Sequence, residues 1–138
     1  MKLSFVIPCY NSENSIEGVV NDIMLATKED YINIHDFEVI CVDDGSHNQT
    51  IKILKTISNQ YNNVRYISFS KNFGQDSALL AGLRETCGDF VVTLDDDRQN
   101  SPFEVRKMLA KIESKDDDVF LQSICIRNTY FLETCLAK

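Results

Sequence analysis

Short apolar runs alternate along the chain with longer segments in which apolar residues recur every three or four positions. Nearly continuous short runs are typical of strands covered on both faces, and the longer spacing is typical of amphipathic helices. The predicted strands are Leu3–Ile7, Phe37–Val42, Val64–Phe69 and Asp89–Leu94, with a weaker candidate at Val119–Leu121.

Each segment between these strands predicts a helix with one apolar face. The predicted core-facing residues are Ile16, Val19, Val20 and Ile23 in the first helix, Ile51, Leu54 and Ile57 in the second, Leu79, Gly82, Leu83 and Thr86 in the third, and Val105, Met108, Leu109 and Ile112 in the fourth. Two helix starts are predicted from capping patterns, at Ser46 with Gln49 and at Ser101–Glu104.

Four successive β–α units predict right-handed crossovers and a mainly parallel sheet with helices on both faces. The expected fold is therefore α/β with three layers, and the segment Tyr31–Asp36 is expected to be a loop before the second strand. In such folds ligands bind beyond the carboxyl ends of the strands. Candidate functional residues are therefore expected at the carboxyl ends of the predicted strands.

Polar groups follow each of the four main predicted strands. The proline after the first strand is expected to end that strand, because it has no N–H to donate. The tyrosine that follows offers a flat ring on which a base could stack, although a packing role is an equal alternative. The candidate residues in chain order are Pro8 and Tyr10, then Asp43 and Asp44, then Lys71 and Gly74, then Asp95, Asp96, Asp97 and Gln99.

The acidic group after the fourth strand predicts a metal site. If strand geometry continues, Asp95 and Asp97 share one face and Asp96 lies on the other. Paired carboxylates suit Mg²⁺ or Mn²⁺, which also bind phosphate oxygens. The chain contains neither a G-x-G-x-x-G nor a G-x-x-x-x-G-K-[ST] motif, which disfavours diphosphate binding by a glycine-rich loop.

Ordinary structural readings of the same residues remain open. Asp95–Asp97 could be a solvated loop, and Asp43–Asp44 could simply begin a turn. The equally acidic Asp116–Asp118 precedes a predicted strand, so we expect only solvation for it. Position relative to a strand separates the two acidic triplets and favours function for the first.

Composition and net charge limit the classes of binding partner that the sequence predicts. The net charge of −7 argues against a nucleic-acid binder, which needs a basic surface, but permits a nucleotide held through a metal. The five cysteines are odd in number and lack C-x-x-C spacing, so reduced structural thiols are expected. No run approaches the roughly 18–20 apolar residues that span a bilayer. The expected location is cytoplasmic.

Four motifs occur in order along residues 3–112. They are Val6–Asn11, Val42–Ser46, Ser70–Gln75 and Leu94–Asn100. Together they resemble family-2 glycosyltransferases with the GT-A fold. The branch that they resemble most is that of polyprenyl-phosphate sugar transferases, such as dolichol-phosphate mannose synthases and bacterial undecaprenyl-phosphate glycosyltransferases.

The resemblance implies roles for individual positions. Around the base and ribose it places Pro8, Tyr10 and Asp44, with Asp43 beside them, and in a loop flanking the nucleotide it places Lys71 and Gly74. A D-x-D-x-Q motif around Mg²⁺ or Mn²⁺ and the diphosphate would consist of Asp95, Asp97 and Gln99. Asp96 would then face the sugar or be structural. The sequence departs from the pattern at Arg98, where this branch usually has an apolar residue.

The resemblance also implies an activity and its partners. The expected reaction is metal-dependent inverting transfer from a UDP- or GDP-sugar to a polyprenyl phosphate or another cell-envelope glycan acceptor. Residues 1–115 would form the nucleotide-sugar-binding part of the GT-A domain, and residues 116–138 a divergent or truncated tail without the catalytic base. Membrane association is then expected only through missing C-terminal segments, which in relatives often lie at the cytoplasmic face.

Two other functions are alternatives to sugar transfer. One is a truncated, non-catalytic module that binds nucleotide and transfers nothing. The other is a phosphoryl-accepting receiver domain, which needs an acidic pair after the first strand, where this chain has Pro8 and Tyr10.

Overall fold

A computed structural model of the chain describes residues 2–28 and 36–99, positions 104 and 107, and the backbone of a strand at 125–127. Its elements are β1 Lys2–Cys9, α1 Ile16–Thr27, β2 Asp36–Asp43, α2 Thr50–Gln60, β3 Val64–Ser68, α3 Gln75–Arg84, β4 Phe90–Thr93 and β5 Cys125–Arg127. Positions 104 and 107 are helical. Among the described residues, no helix has the length and apolar character needed to cross a bilayer.

The strands form one sheet in the order β3-β2-β1-β4-β5. The pairs β1–β2, β1–β4 and β2–β3 are parallel, and β5 runs antiparallel to β4. The four main predicted strands and the mainly parallel sheet are therefore confirmed. The weaker strand candidate Val119–Leu121, the core residues of the predicted fourth helix, and Ser101–Phe103 of its start signal lie outside the described residues.

The sheet separates two apolar layers. Alternate residues of β1 such as Phe5 and Ile7 join the larger core with α1 and α2. Val6 faces the other side, where α3 packs. This alternation follows from the two-residue period of a strand, and it accounts for the continuous apolar runs in the sequence.

The predicted helix faces are confirmed for α1 and differ in detail for α2 and α3. All four predicted residues of α1 are buried. In α2, Leu54 and Ile57 are buried and Ile51 is partly exposed. The predicted Thr86 is buried just beyond the end of α3. Within α3, Gly82 is buried as predicted, together with Ala78, whereas the predicted leucines are partly exposed. The small residues allow this helix to approach the sheet closely, so the leucines flank the contact.

The capping box predicted at Ser46 is wrong. Helix α2 begins at Thr50, and its N-cap residue Gln49 makes no side-chain capping bond. The Ser46 hydroxyl instead accepts a hydrogen bond from the Asn11 N–H at 2.9 Å, and the Asn11 side-chain oxygen accepts one from the His47 N–H at 2.9 Å. The serine therefore ties the loop after β2 to the loop after β1.

The expectation that Pro8 ends the first strand is also wrong. Pro8 lies inside β1, in register with Val42 of β2, and β1 continues for one more residue. The β1–β4 pairing ends at Val6–Thr93, and the Val6 carbonyl accepts from the Leu94 N–H at 3.1 Å. Because backbone groups alternate sides along a strand, the Pro8 nitrogen faces the space past the end of β4. Its missing donor therefore breaks no bond with β2.

Gly82→Ala tests how closely α3 packs on the sheet. A Cβ at this position would lie 2.4 Å from Val6 Cγ1 and 3.1 Å from Val42 Cγ2. Overpacking costs about 1–3 kcal/mol, which outweighs the gain of about 1 kcal/mol from alanine in a helix. We expect urea denaturation to show a free energy of unfolding about 1–2 kcal/mol lower.

The exposed Ser77→Ala in the same helix is the control, with an expected change within about 0.5 kcal/mol. A Gly82→Ala chain as stable as the unsubstituted protein would contradict the close contact.

Candidate functional site

A cleft opens at the carboxyl end of the sheet, where the strand order reverses. The chain runs outward from β1 through β2 to β3 and then returns to place β4 on the other side of β1. Such a switch point is where ligands bind in open α/β sheets. The cleft has a volume of about 310 Å³ and is lined by Pro8, Cys9, Tyr10, Asp44, Gln75, Asp95, Asp96 and Asp97.

The structure brings six of the ten candidate residues together in this cleft. These six are Pro8, Tyr10, Asp44, Asp95, Asp96 and Asp97. The other four, Asp43, Lys71, Gly74 and Gln99, lie in the adjoining segments and not in the lining. Nearly half of the Tyr10 side chain is exposed, so its ring is accessible to a planar ligand.

The acidic segment does not continue the strand. β4 ends at Thr93, and Asp96 and Asp97 lie in a turn. The predicted separation of Asp96 from its two neighbours by strand alternation is therefore wrong, and all three carboxylates line the cleft. Asp96 Oδ2 accepts from the Tyr10 N–H at 3.1 Å. This bond ties the acidic segment to the tip of β1.

The carboxylates oppose one another electrostatically. Partial burial raises the pKa of Asp95, and the negative charges of Asp97 and Asp96 raise it further. A cation placed among these groups would relieve the repulsion and favour the ionised form. Oxygen ligands of this kind suit Mg²⁺ or Mn²⁺.

The carboxylates thus fit a divalent cation that is coordinated mainly by substrate phosphates and water, with few protein ligands. Within the described part of the chain, no group of three or more His, Cys, Asp or Glu side chains is arranged to hold a metal ion. Mg²⁺ commonly binds through one or two carboxylates plus substrate phosphates and water. The segment Asp95–Asp97 is compatible with that mode.

Asp44 organises the loop that follows β3. Its Oδ1 accepts from the Phe73 N–H at 2.7 Å and its Oδ2 from the Gly74 N–H at 3.1 Å. The neighbouring Gly45 has a φ of 71°, and a Cβ there would lie 2.3 Å from the Lys71 carbonyl carbon. The two loops therefore pack backbone against backbone, which requires a glycine.

The remaining predicted residues are placed as follows. Asp43 ends β2 and is buried, and its Oδ1 has no hydrogen-bond partner among the described residues. Lys71 is exposed, with its Nζ 5.0 Å from the centroid of the Phe73 ring. The Gln99 N–H donates to Asp97 Oδ1 at 3.0 Å, which closes the acidic turn.

Two residues of the lining were not assigned to the site from the sequence. Cys9 is one of the cysteines that were expected to be structural thiols; it is buried and also borders the cleft. Gln75 is the first residue of α3. Its position offered a signal, because a helix that follows a strand tip begins at the edge of the sheet where the cleft lies.

The Cys9 thiol stays neutral. A hydrogen bond with the Cys41 side chain raises its pKa well above the ordinary value, and burial raises it further. A neutral buried thiol is neither a nucleophile nor a metal ligand at neutral pH. Cys9 therefore contributes shape to the cleft.

The sequence profile described as Glycosyl transferase family 2 matches residues 4–134 of the chain. The chain belongs to this family.

Relatives with more specific names align over most of the chain. The undecaprenyl-phosphate 4-deoxy-4-formamido-L-arabinose transferase of Proteus mirabilis is 35% identical over 134 residues, which are 96% of this chain and 40% of the relative. The protein of the same name from Yersinia enterocolitica is 33% identical over 119 residues, or 86% of this chain and 36% of the relative. The chain spans about two-fifths of the length of these curated relatives.

Solved structures confirm the GT-A fold class. S. aureus TarS (1–349) in complex with UDP-GlcNAc matches with a TM-score of 0.69 and 30% identity, over 88% of this chain and 34% of that chain. The mannosyltransferase PcManGT of Pyrobaculum calidifontis, in complex with GDP-Man and Mn²⁺, matches with a TM-score of 0.66 and 20% identity. This match covers 85% of this chain and 33% of the mannosyltransferase chain. The family-2 sequence therefore folds here as part of a GT-A domain.

Site-resolved cysteine labelling tests the character of the cleft floor. We expect Cys9 and Cys41 of the native chain to resist a maleimide, because both are buried, whereas the exposed Cys87 reacts. Raising the pH from about 7 to about 9 should leave Cys9 unlabelled, since its raised pKa keeps the thiol protonated.

Mass spectrometry of digested peptides gives the extent at each residue, and labelling in urea provides the fully reactive control. Native Cys9 reacting as fast as Cys87 would contradict a buried neutral thiol.

Asp44→Ala tests the anchoring of the loop after β3. Losing two hydrogen bonds to a buried carboxylate should lower the free energy of unfolding by about 2–3 kcal/mol. The amides of Phe73 and Gly74 should then exchange faster with solvent, as measured by NMR. Asp44→Asn keeps one acceptor oxygen, so its free energy of unfolding should lie between those of the unsubstituted protein and Asp44→Ala.

Asp36→Ala at the start of β2, the strand that Asp44 follows, is the matched control. Its carboxylate makes an exposed ion pair with Lys2 at 3.7 Å, so its loss should change stability by less than about 1 kcal/mol. Equal losses at both positions would show that the Asp44 bonds do not anchor the loop.

Proposed function

We propose that the chain is the nucleotide-sugar-binding part of an inverting glycosyltransferase. In this proposal it takes a UDP- or GDP-sugar as donor and uses Mg²⁺ or Mn²⁺. The acceptor is a polyprenyl phosphate or another cell-envelope glycan acceptor. The catalytic base is unassigned.

One observation carries the proposal. The accessible Tyr10 ring, the carboxylate of Asp44 and the carboxylates of Asp95–Asp97 border a single cleft of about 310 Å³ at the switch point of the sheet. An aromatic ring supports a base, and the carboxylates support a metal-bound diphosphate. A nucleotide contains both a base and a diphosphate, so it matches both kinds of group in the cleft. A simple sugar or an isolated phosphate would match only one of them or neither.

In this proposal, different residues of the cleft bind different parts of the nucleotide sugar. Tyr10 and Pro8 would pack against the base and ribose, and Asp95 and Asp97 would hold the cation, with Gln99 beside them. When bound, the divalent ion supplies positive charge for a departing diphosphate. Asp96 holds the acidic turn against the tip of β1 through the Tyr10 N–H. In this proposal it would also face the sugar.

Asp43, Lys71 and Gly74 have supporting places in this proposal. Asp43 ends β2 directly before Asp44, so its buried side chain would lie beside the residues that contact the base and ribose. Gly74 and Lys71 belong to the loop that the Asp44 carboxylate holds. In this proposal the loop would flank the nucleotide.

The relatives support the classes of donor and acceptor. TarS, at 30% identity, has been solved with UDP-GlcNAc bound. The transferases of Proteus mirabilis and Yersinia enterocolitica are named for undecaprenyl phosphate. These names favour a UDP-linked donor and a lipid-phosphate acceptor for this chain.

Metal-dependent nucleotide binding is the first test. UDP or GDP at about 100 times its Kd should raise the free energy of unfolding by about 2.7 kcal/mol, and only with Mn²⁺ or Mg²⁺ present. Asp97→Ala should abolish that stabilisation because it removes a carboxylate ligand of the cation. Thermal denaturation with each nucleotide, with and without metal, measures both effects.

The control is Asp117→Ala in the second acidic triplet, which should leave the stabilisation unchanged. Equal stabilisation in the presence of EDTA would refute the metal-dependent site.

A second experiment separates transfer from binding alone. Incubating the chain with a UDP-sugar and a short polyprenyl phosphate, and measuring released nucleoside diphosphate, distinguishes a transferase from a nucleotide-binding fragment. Binding without release would favour the fragment.

A further inference from the structure

Arg98 follows the acidic triplet and has an unusual backbone conformation. Its φ is 62°, in the left-handed region that side-chain-bearing residues rarely adopt. A conformation of this kind persists when surrounding contacts fix it. The side chain of Arg98 makes such contacts with helix α1.

The first contact is an ion pair with Asp22. Arg98 Nη2 lies 2.8 Å and Nε 3.2 Å from Asp22 Oδ2, so two N–H groups of the guanidinium converge on one carboxylate oxygen. About half of the Arg98 side chain is exposed, whereas Asp22 is mostly covered. Charge-assisted hydrogen bonds of this kind are stronger than those between neutral groups.

The second contact is with the backbone of α1 at Gly18. A Cβ on this residue would lie 2.9 Å from Arg98 Nη1 and 3.0 Å from both Cδ and Cζ. Gly18 and Asp22 are four residues apart, so they share a face of the helix. The glycine thus leaves a shallow seat in which the guanidinium lies, and the aspartate closes one end of that seat.

These contacts do not place the positive charge of Arg98 in the cleft. Asp22 already neutralises the guanidinium, and the cleft lining in the described part of the chain does not include Arg98. The arginine therefore acts on the acidic segment through the backbone. Its neighbour Asp97 lies one peptide away and lines the cleft.

The acidic segment needs more than one anchor because its carboxylates repel one another. On the side of the cleft, Asp96 is tied to the Tyr10 N–H. On the far side, the Arg98 seat ties the end of the turn to α1. The two attachments bracket Asp97, whose Oδ1 also accepts from the Gln99 N–H at 3.0 Å.

We propose that Arg98, seated on Gly18 and paired with Asp22, is a positioning residue that holds Asp95–Asp97 in the arrangement that binds a divalent cation with a nucleoside diphosphate. This inference rests on the proposed function. It adds to that function a specific mechanical role for helix α1.

The test measures Mn²⁺ affinity in the presence of saturating UDP or GDP. Arg98→Ala and Asp22→Asn should each weaken Mn²⁺ binding about tenfold, the lower end of the range for residues that orient metal ligands. Arg98→Lys keeps the charge without the planar fork and should recover part of the affinity. The double variant should lose no more than either single one, because the pair acts as a unit.

Gly18→Ala separates positioning from general stability. Alanine favours the helix, so the thermal midpoint of the metal-free chain should stay equal or rise. The new Cβ should nevertheless displace the guanidinium and weaken Mn²⁺ binding in the same direction as Arg98→Ala. A residue with a merely structural role would not lower metal affinity while stability is retained.

Arg84→Ala is the matched control, since it removes an exposed arginine from the last turn of α3. It should leave Mn²⁺ affinity unchanged. Hydrogen exchange of residues 95–99 in the metal-free chain provides a second readout and should quicken in Arg98→Ala and Gly18→Ala.

The outcomes distinguish the two proposals. A wild-type chain that binds no nucleotide with Mn²⁺ overturns the proposed function and this inference with it. A wild type that binds, together with an Arg98→Ala chain of equal affinity, overturns only the positioning role. Loss of affinity in Arg98→Ala and Gly18→Ala but not in Arg84→Ala supports it.

Discussion

The pairing of β1 with strands on both of its sides is the interaction on which the site depends. It continues past the strand ends, where the Asp44 N–H donates to the Cys9 carbonyl at 2.8 Å and the Leu94 N–H to the Val6 carbonyl at 3.1 Å. These backbone bonds deliver two acidic segments to the tip of one strand. Burial raises the pKa of Asp95, and the negative charges of Asp97 and Asp96 raise it further, so the carboxylates also repel one another. The sheet therefore supplies the constraint that keeps like charges together.

The sequence predicted the strands well because a central parallel strand is apolar on both faces, and such a run has few alternative structures. The helix details were less predictable. Gly82 was predicted to face the core, but the burial of Ala78 in place of the neighbouring leucines depends on how closely α3 approaches Val6, which is a tertiary distance. The predicted start of α2 relied on Ser46 as the capping residue. The Ser46 hydroxyl instead accepts a hydrogen bond from the Asn11 N–H, in a loop distant in sequence. Local patterns do not contain these contacts.

The place of the site was also predictable, since polar residues at successive strand tips converge in any parallel sheet. The orientation of the side chains was not. The alternation argument for Asp95–Asp97 required a strand where the chain turns. The seat of Arg98 on Gly18 joins positions far apart in sequence, and no motif spacing reports it. The departure at Arg98 from the family pattern was visible beforehand, but its partner on α1 was not.

Pro8 has a consequence for the shape of the cleft that begins with its covalent structure. In the register of β1 and β4, the next rung after the bond to the Val6 carbonyl would run from the nitrogen of residue 8 to the carbonyl of Leu94. An imino acid cannot form that rung, so nothing draws β4 onward beside β1. The two strands part there, and the gap between them becomes the mouth of the cleft. The pyrrolidine ring of one proline thus leaves β1 and β4 unpaired at the point where a ligand would enter.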